Sequence, residues 1–262
     1  MYFDTHLHLD MLFKKGINPD DAIKRAVDAG VAGMISIAGS DIIGDFKTTR
    51  DIIAPHKNIY MAAGFHPHVA SDVSLALFDK LRAVLDEPST VALGETGLDY
   101  HYNFSPAKEQ RRIFAAQIKM AREMNLPVIV HTRDADEDTV AILKDEGVVE
   151  TGGVIHCFSA GERLAEEALN LGMYISFSGI LTFPKAEDVQ AVAQTVREDR
   201  LLVETDSPYL SPVPFRGRTN EPARVKDVAS KLAELRGVSI EKLGESLIAN
   251  SKRCFNITGA AV

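Results

Sequence analysis

The sequence has no tryptophan and only two cysteines, Cys157 and Cys254, far apart and in no C-x-x-C pair. That excludes a disulfide framework and a cysteine-ligated zinc ribbon, and it fits a reducing cytosol. No apolar run approaches the ~20 residues that a membrane helix requires. The opening MYFDTHLHLD carries charge from its fourth position, unlike a secretory signal, so a soluble cytoplasmic protein is expected. There is no biased tract, no Pro/Gly/Ser-rich hinge and no internal repeat at constant period, and one domain over residues 1–262 is expected. Nor is there an excess of positive charge. The net charge of −8 argues against sequence-independent coating of duplex DNA, which usually rests on basic surfaces. It leaves room for an enzyme that draws one strand end into a pocket, and for a small-molecule substrate.

What is present is an alternation. Short apolar runs over 2–5, 33–38, 59–63, 91–94, 128–130, 153–155, 174–177 and 201–204 read as strands. Between them, helical patterns cover 19–29, 75–85, 106–124, 135–145, 160–169 and 186–196, and two more, 221–235 and 240–249, finish the chain. Pro106 follows Ser105 as a first helical residue follows its N-cap, and Gly30 and Gly147 stand where glycines close helices. Strands each followed by a crossover make a parallel sheet. Eight such units predict a single (β/α)8 TIM barrel, with an open doubly wound sheet as the alternative.

The strand ends carry the chemistry. The first strand runs into His6 and His8, the fourth into Glu95, the fifth into His131, the sixth into His156 and the eighth into Asp206. In barrel enzymes the active site lies at the carboxyl ends of the strands, so these groups converge. His6 and His8 are two apart, and extended backbone turns both to one side. Asp4 shares that parity and is expected beneath them, accepting from an imidazole N–H. A lone strand histidine is usually a satisfied core residue. A His-x-His pair joined by ligand-type residues at four other strand ends is better read as a metal centre. Imidazoles and carboxylates suit Zn, Mn, Fe or Co and tolerate Mg. Six ligands exceed what one catalytic zinc takes with a position left open. Two divalent ions are therefore expected, with Glu95 as the bridging carboxylate, since no lysine closes any strand.

Around this set the readings stay open. Arg133 lies two beyond His131 and faces the same mouth, where a guanidinium suits a phosphate; a surface salt bridge is the alternative. His66, in GFHPH, is either a substrate contact at the rim or an ordinary turn histidine. Arg216, Arg218 and Asn220, in PFRGRTNEP, form the most basic short stretch near the mouth, as substrate contacts or as a solvated loop. Glu204 shares the parity of Asp206 and either supports the site from below or pairs with Asp4. Cys157 is expected to point away from the site into the helix layer. His56, His68 and His101 have no partner in view.

DTHLHLD, GFHP, GETGLDY, LPVIVHTRDA, HCFS, SFSGILTF, ETDSPYL and RGRTNEPA, in this order from Asp4 to about Phe255, closely resemble the TatD family of metal-dependent deoxyribonucleases. The resemblance implies a β/α barrel with a two-metal site, acting on DNA as a 3′–5′ exonuclease on single strands. It implies that His6, His8 and Asp206 bind one metal and His131 and His156 the other, with Glu95 bridging and His66 touching substrate. One departure stands out: HCFSA places Ala160 before Gly161, where many relatives have glycine directly, which alters a mouth loop. The expected activity is hydrolysis of a phosphodiester, with Asp206 orienting and deprotonating the attacking water and Arg133 holding phosphate oxygens. Two rivals are a barrel hydrolase of a small ester, lactone or amide, and a non-catalytic metal-binding barrel.

Overall fold

The computed structural model describes residues 1–39 and 42–258. Eight parallel strands follow one another in chain order: β1 (Tyr2–Leu7), β2 (Val31–Ala38), β3 (Ile59–Ala63), β4 (Thr90–Asp99), β5 (Val128–Arg133), β6 (Gly153–Ile155), β7 (Tyr174–Phe177) and β8 (Leu201–Val203). The ring closes just past β8. Leu7 bridges Ser207 in parallel, Asp206 donates its N–H to the His6 carbonyl at 2.9 Å, and His8 donates to the Ser207 carbonyl at 2.8 Å. The fold is thus the expected barrel and not an open doubly wound sheet, whose outer strands would stay apart.

Helices fill the crossovers: α1 (Leu9–Lys14), α2 (Pro19–Asp28), α3 (Lys47–Ile53), α4 (Leu75–Leu85), α5 (Ala107–Glu123), α6 (Asp136–Asp145), α7 (Glu162–Asn170) and α8 (Glu187–Thr195). After β8 come α9 (Val225–Arg236) and α10 (Ile240–Cys254). Local chemistry places several ends. The Asn18 side chain accepts from the Asp20 N–H and Pro19 opens α2, while Gly147, at φ 69, follows α6 in the left-handed region. The start of α5 departs from expectation. Pro106 is the cap rather than the first helical residue, and the Ser105 hydroxyl donates to the His68 carbonyl and accepts from the Ser71 N–H.

Alternate residues of the eight strands, among them Phe3, Ile35, Ala62, Ile129, Val154 and Leu202, form one buried cluster joined by Phe255 and Ile257 beyond α10. It fills the barrel and leaves the polar groups to the carboxyl end. A larger apolar cluster packs the helices on the outer faces of the strands. No helix among the described residues is long and apolar enough to cross a membrane.

Candidate metal centre

Two irregular strands aim the first ligands. The register of β1 against β2 shifts between Asp4 and Leu7, and that of β4 against β5 shifts between Leu93 and Thr96. His6 and Glu95 lie within these two shifts, and such bulges re-aim side chains beside active sites. Beyond its shift β4 does not stop. It runs on to Asp99 rather than ending at residue 94, pairing Gly97 with His131. Only glycine serves at 97: φ is +143, and a Cβ would sit 1.9 Å from the His131 carbonyl oxygen.

The six expected ligands meet at the mouth. His6 Nε2 lies 3.3 Å from His8 Nε2 and 3.8 Å from Asp206 Oδ1, and His8 Nε2 lies 3.2 Å from that same oxygen. Glu95 divides its two oxygens. Oε2 lies 3.5 Å from His6 Nε2, whereas Oε1 faces His156 Nε2 at 2.7 Å, His131 Nδ1 at 3.1 Å and His66 Nε2 at 3.5 Å. The rings of His6 and His156 stack at 3.9 Å. His156 Nε2 is buried and, despite its short distance to Glu95, has no aligned hydrogen-bond partner. A buried imidazole nitrogen and carboxylate oxygen this close require a proton or a cation between them. Three groups here could hold a metal ion: His6, His8 and Asp206; His6, Glu95 and His156; and His66, Glu95 and His131. The mixed imidazole and carboxylate donors fit a divalent cation.

Burial works to raise the Glu95 carboxyl, but the neighbouring His156 and the hydrogen bond from His131 outweigh it. They hold the group well below its ordinary range, as an anion. Burial drives the His66 imidazole down to about 4 against the pull of Glu95, so it is neutral at pH 7.

Carboxylates behind the cluster set the rings. Glu204 Oε1 lies 3.1 Å from His156 Nδ1, so Glu204 supports the site from below and is not a partner of Asp4. Asp99 Oδ2 lies 3.2 Å from His131 Nε2 and 2.9 Å from His68 Nε2. Sequence reading missed both Asp99 and His68. The available signal was Asp99 itself, in the GETGLDY motif four residues beyond Glu95.

Other expectations need correcting. Asp4 accepts no imidazole proton: its oxygens take the Thr205 N–H at 2.9 Å, the Thr205 hydroxyl at 2.6 Å and the His6 backbone N–H at 3.4 Å. The shift in β1 breaks the alternation that would have carried Asp4 under His6. Burial pushes its carboxyl up to about 8, although the two Thr205 hydrogen bonds offset part of the rise. Cys157 faces the site rather than the helix layer, because its backbone turns left-handed at φ 45. Its Sγ lies 3.2 Å from Ser178 Oγ, and burial, with Asp206 and Glu204 nearby, holds the thiol well above its ordinary range.

His66 and Arg133 line a cavity of about 740 Å³ together with His8, Glu95, His131, His156 and Asp206. Asn220 does not reach it. It is fully buried, and its amide donates to the Thr205 carbonyl at 2.9 Å, bracing the loop after β8. Arg218 is exposed and outside the cavity lining, and Arg216 packs its guanidinium 3.8 Å from the Phe183 ring centroid. His56 pairs with Asp20 at 2.9 Å and His101 with Asp134 at 3.0 Å, both away from the cavity.

Residues 3–256 match the family model described as TatD related DNase. The metal-dependent hydrolase YcfH of Escherichia coli K12 is 43% identical over 256 residues, covering 97% of this chain and 95% of that protein. A protein named 3′-5′ ssDNA/RNA exonuclease TatD, from Pantoea vagans, is 34% identical over 240 residues, 90% of this chain and 92% of its own. Among solved structures, YjjV, a TatD homologue of Escherichia coli K12, superposes with a TM-score of 0.91 at 29% identity over 98% of each chain. On a match that spans the barrel from its first strand to the end of its last helix, the chain belongs to the TatD-related DNase family.

Proposed function

We propose that this protein is a two-metal phosphodiesterase that removes nucleotides from the 3′ end of single-stranded nucleic acid. The observation that carries the reading is the division of the Glu95 oxygens between His6 on one side and His131 and His156 on the other. His6, His8 and Asp206 would hold one divalent ion, His131 and His156 the other, with Glu95 shared. When bound, the ions would polarise the phosphoryl oxygen and bring the pKa of a bound water to about 7.

The chain's own groups do the rest. Asp206, whose side chain is 14% exposed at the cavity, orients the water and takes its proton. The water oxygen bonds to phosphorus, the P–O3′ bond breaks, and the freed 3′-oxygen of the shortened strand takes a proton from solvent. Arg133 offers charge-assisted hydrogen bonds to the non-bridging oxygens. His66, held neutral, donates or accepts without adding charge. A recessed centre admits a flexible strand end more readily than a rigid duplex, and the name of the Pantoea vagans relative supports both polarity and single strands. Two free cysteines fit work in a reducing cytoplasm.

The test is a time course on DNA and RNA oligonucleotides labelled at either end, with Mg, Mn or Zn supplied and EDTA as control. A ladder shortening from the 3′ end is expected. Nicking of closed circular DNA at a comparable rate would show that no end is required and would defeat the pocket argument.

A further inference from the structure

The rim of the cavity carries an aromatic surface that the hydrolytic step does not use. Between β4 and α5, Tyr102 and Phe104 lie ring over ring, centroids 5.4 Å apart and planes 9° apart. Yet they are 51% and 69% exposed. Single exposed apolar residues are ordinary. Two parallel rings left in water at the edge of a polar cavity are not. Their loop is anchored: the Tyr102 N–H donates to Asp99 Oδ1 at 2.8 Å. His68 sets its ring edge-on to both, at 5.6 Å from Tyr102 and 4.8 Å from Phe104, and its Nε2 bonds the same Asp99 carboxylate that holds His131. The aromatic pair is therefore tied to the ligand cluster through His68 and Asp99. On the cavity side, the Arg133 guanidinium lies 4.8 Å from the Tyr102 ring centroid, and both residues line the cavity.

Charge indicates which way a strand leaves. The cavity adjoins a cleft that Arg133 also lines and that carries Asp134, Asp136, Glu137 and Asp138. Arg163 and Arg111 pair with Glu137 and Asp138, and the carboxylates left in excess disfavour a phosphate chain. The aromatic pair offers the exposed Phe104 ring instead, with the Arg133 cation lying over the Tyr102 ring next to it. Successive bases of single strands stack on such rings while basic groups follow the backbone, without regard to sequence because every base has a π-face.

We propose that Tyr102 and Phe104 form a stacking platform for a nucleobase adjoining the scissile bond, with Arg133 meeting the phosphate beside it. This rests on the nuclease reading above and gives single-strand preference a second cause, since a base stacked inside a duplex cannot lie on a protein ring.

The experiment compares two single-stranded oligonucleotides, one natural and one with abasic residues at its two 3′-terminal positions. Wild type should favour the natural strand by about 10- to 100-fold in kcat/KM, mostly through KM. In Tyr102→Ala/Phe104→Ala that ratio should collapse towards one, while Phe104→Trp should keep it, all with wild-type melting temperature. A measurement without variants accompanies it: a 3′-terminal 2-aminopurine in a phosphorothioate-linked strand should be quenched on binding the wild-type protein. Equal rates of wild type on both strands, full discrimination by the double variant, or unquenched emission in the complex would overturn the platform and leave the nuclease reading standing. Cleavage of neither strand by wild type overturns both.

Discussion

Glu204 and His156 form a buried pair, with Oε1 of the carboxylate 3.1 Å from Nδ1 of the imidazole and neither side chain more than 4% exposed. The same oxygen accepts the Cys157 N–H at 2.9 Å. With Nδ1 as the donor, Nε2 is left facing Glu95 at 2.7 Å, and acceptors that orient a histidine this way raise its power as a ligand. Glu204→Ala should therefore weaken metal binding by about 10- to 100-fold, measured by competition with a chelator. Wild-type affinity in that variant would mean that the ring is oriented without Glu204.

Glu95→Ala should remove nearly all turnover and lower metal content while the protein stays folded. Its two oxygens face different histidines, so both halves of the cluster lose a partner. Elemental analysis and steady-state kinetics check this together. A variant keeping more than about a tenth of wild-type kcat would place Glu95 outside the centre.

His131 and His156 both approach Oε1 of Glu95, at 3.1 and 2.7 Å. His131→Ala and His156→Ala should each cost nearly as much kcat as the double variant, since residues acting as a unit are grossly non-additive. Losses in log kcat that add cleanly would show that the two do not serve one ion.

Arg133 calls for a different outcome. Arg133→Ala should keep its metal and lose about 10- to 150-fold in kcat/KM on single strands, the worth of a charge-assisted hydrogen bond of roughly 1.5–3 kcal/mol. Unchanged kinetics would confine the residue to its contact with Tyr102.

Cys157 lines the cavity, yet burial and the nearby carboxylates hold its thiol well above the ordinary range. Because the thiolate is the reactive form, iodoacetamide at pH 8 should modify it far more slowly than a free thiol, as intact-mass analysis would record. Rapid stoichiometric labelling at that residue would refute the suppressed thiolate.

The sequence by itself determined the barrel and the six convergent ligand-type residues. Side-chain period, turn residues and the groups that close each apolar run are local properties, and topology carries strand ends to one mouth. The helices α1 and α3 escaped that reading because six or seven residues show little period and hold their form through packing. Only the tertiary structure decided what stands behind the ligands. Asp99 reaches His131 because β4 continues past a register shift, and the partners lie 32 residues apart in sequence. A left-handed turn brings Cys157 to the cavity, and the returning loop buries Asn220 beneath it. Each of these depends on where a bulge or a turn redirects the backbone, and the energy that holds it there comes from contacts distant in the chain.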